Sequence, residues 1–120
     1  MSVVTLSMRY KKQSNKGVGF KKDIDDSLQT LKAYGYIFSP TQESHVSLHC
    51  PCDVVISDPV RERRAVGVIN KLVPTKLSSS GKQRYEIEFL SLQEVSFIDE
   101  DFSKHRAGVK VHNAMGSEIK

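Results

Sequence analysis

Between Cys52 and Ile98 the chain alternates apolar and polar residues with a period of two, and turn residues break the pattern at intervals. Val54 and Ile56 point one way and Asp58-Pro59 marks a turn. Val66 and Val68 resume the extended pattern, Ser78-Ser79-Ser80-Gly81 supplies a loop, and Tyr85, Ile87 and Phe89 alternate with Arg84, Glu86 and Glu88. Val95 and Phe97 carry the pattern further. Such alternation signals antiparallel strands with one buried face. The expectation is a mainly β protein, a small antiparallel β-barrel with one packed α-helix.

Val3 to Tyr10 reads as a first strand rich in β-branched residues, and Val18 to Phe20 as a short second one. The helix is expected from Asp23, which caps it, with Ile24, Leu28 and Leu31 on one face and Gly35 in the left-handed position that ends it. Tyr36-Ile37-Phe38 and His45 to Cys50 read as extended, with Pro40 ending the first and Pro51 bending the second. Val109-Lys110-Val111 is a weaker alternating piece. A single domain over residues 1–112 with a flexible tail over 113–120 is expected.

A chain of 120 residues with 38% hydrophobic and 27% charged residues has the composition of a folded domain, not a disordered one. No apolar run approaches the roughly 20 residues of a membrane span, and the first segment is too polar for a signal peptide. The expectation is a cytoplasmic protein with no membrane insertion and reduced cysteines. The net charge of +4 is compatible with nucleic acid, an anionic nucleotide or an acidic protein, without choosing among them.

Candidate chemistry is sparse. His45, His49, Cys50 and Cys52 hold metal-ligand residue types, but strand alternation sends His49 and Cys50 to opposite faces, and no second ligand pair stands elsewhere. No Ser, Cys or His lies in an elbow, helix-start or glycine-rich context that marks a nucleophile, so the chain reads as a non-enzyme without cofactor. Arg61, Arg63 and Arg64 form the densest basic cluster, suited to carboxylate or phosphate. Arg9, Lys11 and Lys12 form a second. Tyr85 and Phe89 share a face that is either the core side of the strand or a stacking platform.

The segment Gly35-Tyr36-Ile37-Phe38-Ser39-Pro40-Thr41, then Val54 to Pro59, Ala65 to Ile69 and Tyr85 to Phe89, resembles the PilZ domains, bacterial barrels many of which bind cyclic di-GMP. The resemblance implies a six-stranded barrel. It departs from ligand-binding members at their arginine pair, where Arg9 is followed by Gln13, and at their acidic and serine positions, taken by Thr30 and Lys32. It is similar to divergent members that act through protein partners in signalling or motility machinery. The reading is therefore an adaptor that docks a protein through Arg61, Arg63 and Arg64. One alternative is a cyclic di-GMP receptor using Arg9, Lys11, Lys12 and Gly35. Another is a single-stranded nucleic-acid binder, since the hairpin from Val66 to Phe97 also resembles the last hairpin of OB folds.

Overall fold

A computed structural model of the chain describes residues 2–7, 24–58, 62–98 and 108–120. Its elements are β1 (Val3–Ser7), α1 (Ile24–Thr30), β2 (Lys32–Ile37), α2 (Pro40–His49), β3 (Cys52–Asp58), β4 (Arg63–Leu77), β5 (Gln83–Val95), β6 (Val109–His112) and β7 (Glu118–Ile119). The expected strand at Val18 to Phe20 and the cap at Asp23 lie outside the described residues.

The mainly β expectation holds, and its finer form is corrected. The strands form one seven-stranded sheet in the order β2-β5-β4-β3-β1-β6-β7, with β2 and β7 as its edges and no hydrogen-bonded closure into a barrel. It is not wholly antiparallel either, because β1 and β3 run parallel from Val3↔Asp53 to Ser7↔Ser57. Parallel neighbours need a long crossover, and the chain between them carries two helices and β2 rather than the single helix expected. Among the described residues no helix is long and apolar enough to cross a membrane.

The hairpin signals in the sequence are met. β3 and β4 pair from Cys52↔Ile69 to Asp58↔Arg63, a register that puts Ala65, Gly67 and Ile69 on the face of Val54, Ile56 and Cys52. β4 and β5 then run on as a long hairpin. Its turn is closed by the Ser78 amide donating to the Lys82 carbonyl at 2.7 Å, with Gly81 at φ +83°. Ile87 and Phe89 are buried and Tyr85 is half-buried.

Two local expectations fail for stated reasons. α1 ends at Thr30, and the left-handed residue that ends it is Leu31, at φ +57°, not Gly35. The chain must be extended by Lys32, which pairs with Glu88, so the helix has no room to run on. Gly35 instead sits in an irregularity of β2 between Ala33 and Tyr36, at φ +77°, and its carbonyl accepts from Arg84 at 2.7 Å. Residues 45–50 are not a strand. Ser39 accepts from the Gln42 amide at 3.1 Å while the Gln42 side chain accepts from the Ser39 amide at 3.0 Å, and Pro40 follows at the first helical position. This capping box starts α2, and the alternation of His45, Ser47 and His49 is incidental to it.

Residues 113–120, read from the sequence as a tail, return to the sheet. Asn113 Oδ1 accepts from the amides of Met115 and Ser117, and β7 then pairs with β6. The Ile119 carbonyl accepts from Gln42 of α2 at 3.2 Å. On the other side of the fold, a methyl group at Gly108 would lie 3.8 Å from the Tyr36 ring. The β2 edge thus curls up to the start of β6 through side-chain contact, without strand pairing.

Candidate binding groove

The curl leaves a groove of about 910 Å³ between the end of β2, the first turn of α2, the tip of the β4–β5 hairpin and the start of β6. Phe38 follows directly on β2 and Tyr85 lies on β5, and their rings meet edge to face with centroids 5.7 Å apart. Phe38 is buried and anchored, whereas Tyr85 stands half in the groove. Leu77 at the hairpin tip is 65% exposed beside them. Glu43 of α2 and Lys82 of the hairpin tip supply one charge of each sign to the lining. Ser47 donates to the Glu43 carboxylate at 2.9 Å, and burial followed by the field of Glu43 raises the Tyr85 phenol above its ordinary range. An aromatic wall with one lysine and one carboxylate among the lining residues suits a planar ligand that turns its negative charge toward Lys82. Of the two aromatics that share a strand face, Phe89 belongs to the core and Tyr85 to the groove.

The basic residues singled out in the sequence fare differently. Arg9, Lys11, Lys12 and Arg61 lie outside the described residues. Arg63 does not present a free fork: it donates through two nitrogens to Glu94, both at 2.8 Å, and to Asp25 of α1 at 2.7 Å. These bonds raise its pKa and lower that of Glu94. Arg64 is half-buried in β4, in register with Ser57 and Val95. Gly35 shapes β2 and is absent from the groove lining.

Charge is unevenly spread along the chain. The described residues hold nine Lys and Arg against ten Asp and Glu, so the net +4 of the whole chain is owed to segments 8–23 and 59–61, since 99–107 has two Lys and Arg against three Asp and Glu. The described residues that flank these segments share one end of the sheet. Val95, Arg64, Ser57 and Ser7 form one row of the register, and Leu6↔Val109 the adjoining rung. Val109 also lines the groove.

Other reactive groups are placed for structure. Burial raises both cysteine thiols, that of Cys52 to about 12, and Cys52 Sγ donates to the Val46 carbonyl at 3.7 Å. Their neutral forms are favoured by the fold, so their contribution to stability is full below the ordinary value of 9.0 and is lost as pH rises toward the folded values. Urea midpoints are expected to stay level up to about pH 9 and to fall above it. A midpoint unchanged between about pH 8.5 and 10.5 would contradict this. The residues weighed for a metal are re-sorted by α2: His45 and His49 share a helix face, with ring centroids 4.4 Å apart. Burial and the neighbouring His49 lower the pKa of His45. Among the described residues no group of three His, Cys, Asp or Glu side chains is placed to hold a metal ion. In comparisons with known proteins, the chain matches no family model, no curated protein and no solved structure.

Proposed function

We propose that this protein is a non-enzymatic binding module that takes single-stranded nucleic acid into the groove at Tyr85. The observation that carries this reading is the half-exposed Tyr85 ring, backed by buried Phe38 and accompanied by Lys82, in a groove that shares Val109 with the end of the sheet flanking the basic segments. A base stacks on Tyr85 and the backbone phosphates run toward Lys82 and that end of the molecule, which combines the two attractions general to single-strand binders.

The adaptor reading, carried by the PilZ resemblance, retains one supporting observation. Leu77 is an exposed apolar side chain at the mouth of the groove, where a protein partner would cover it. Its expected anchor is weakened, because Arg63 is engaged inside the chain. Cyclic di-GMP has less support than either, since Gly35 is absent from the groove lining.

Fluorescence anisotropy of a labelled 20-nucleotide single strand tests the proposal. For three or four phosphate contacts the affinity is expected to fall roughly 20- to 50-fold between 50 and 200 mM salt. Tyr85→Ala is expected to weaken binding by about 1–3 kcal/mol, the value of one base stacked on an aromatic ring. Binding that ignores salt, or that Tyr85→Ala leaves unchanged, overturns the reading.

A further inference from the structure

A second hollow, of about 450 Å³, lies at the far end of α2 and is lined by Ser2, His45, His49, Pro51, Ala114 and Met115, together with Asn113. We propose that it is a copper site, binding Cu(I) through the imidazoles of His45 and His49 and the thioether of Met115. The inference is independent of what the groove binds.

Three observations converge on it. Residues four apart lie one above the other on a helix face, the spacing by which a helix offers two histidines to one metal ion. Here the two rings are 4.4 Å apart between centroids and inclined by 43°, close enough for both imidazoles to serve one ion. The rings also stand in a defined environment. Ser2 Oγ lies 2.8 Å from His45 Nε2, an outer partner of the kind that fixes ring orientation and leaves Nδ1 of His45 for the metal.

The third observation is Met115. It is 91% exposed on the turn that follows β6, so packing gives no reason for an apolar side chain there. Its backbone is nevertheless fixed, since its amide donates to Asn113 Oδ1 at 3.0 Å and the Gly116 amide donates to the Asn113 carbonyl at 2.9 Å. A fixed turn thus places a flexible thioether at the rim of the same hollow as the two imidazoles. No carboxylate lines the hollow, which disfavours magnesium, calcium and manganese, and soft thioether with imidazole selects copper in its reduced state.

The test is anaerobic titration of the whole chain with Cu(I), kept reduced by ascorbate, in competition with the colorimetric chelator bathocuproine disulfonate. The wild type is expected to hold one equivalent. Met115→Leu changes a side chain that the fold does not pack, and His49→Ala changes an exposed one. Each is expected to lower Cu(I) affinity at least about tenfold, the loss that even an outer-shell partner can cause. Circular dichroism of both variants, expected to match the wild type, separates loss of the site from loss of the fold. No retained Cu(I), or equal affinity in wild type and both variants, overturns the site. So does loss of the ion in Cys50→Ser, which would assign it to the thiol.

Discussion

Gly67→Ala is expected to be among the most destabilising single substitutions in the chain, costing about 3 kcal/mol or more, at the upper end of what overpacking produces. Gly67 lies in β4 opposite Leu92 of β5. A Cβ built there would overlap the Ser91 carbonyl oxygen and stand 2.8 Å from its carbon and 3.0 Å from the Leu92 Cα. All three atoms are backbone, so no side chain can turn aside, and the strands themselves must separate. The reason is space, since Gly67 does not need the left-handed backbone that Gly35 and Gly81 adopt. The same two strands carry Tyr85 and the hairpin tip, so a displaced β4–β5 pairing also disturbs the groove wall. Urea denaturation of wild type and variant checks the energy, and a cost below about 1 kcal/mol would show that the hairpin yields locally.

This substitution also shows where sequence reasoning reaches its limit. The hairpins of β3, β4 and β5 are legible because each rests on local signals: alternation at Val54 and Ile56 and at Tyr85 to Phe89, and the Ser/Gly turn between them. α2 had an equally local signal, Ser39-Pro40-Thr41-Gln42, and was masked by the chance alternation of His45, Ser47 and His49. The close approach at Gly67 was not legible, since it depends on how far β5 leans toward β4. Nor was the fate of Arg63, whose partners Asp25 and Glu94 lie 38 and 31 residues away along the chain. One arginine of that basic cluster, Arg63, is an internal tie between α1, β4 and β5. Of the groove, Tyr85 was legible as a candidate stacking residue. Its backing by Phe38 and its neighbour Glu43 follow only from the path of β2 into α2.

The curl that makes the groove is held by side chains, and Tyr36→Ala is expected to release it. Tyr36 is 2% exposed, and its ring lies against Gly108 where the chain enters β6, at the point where two parts of one sheet meet without pairing. Burial, followed by the charge of nearby Asp58, drives its phenol far above the ordinary range, which places the hydroxyl in a poorly solvated setting. Truncating a buried aromatic side chain typically costs about 3–5 kcal/mol. The loss is expected near the top of that range, because the ring is 2% exposed. Tyr36→Phe keeps the ring and is expected to lose less stability than Tyr36→Ala. Denaturation midpoints of the two variants separate the causes: equal loss in both would assign the contact to the hydroxyl and refute the ring. Under conditions where Tyr36→Ala remains folded, oligonucleotide affinity is expected to fall with it, because Phe38 and Val109 then lose the support that holds them on opposite sides of one groove. A destabilised Tyr36→Ala protein that still binds as the wild type does would show that the groove stands without the curl.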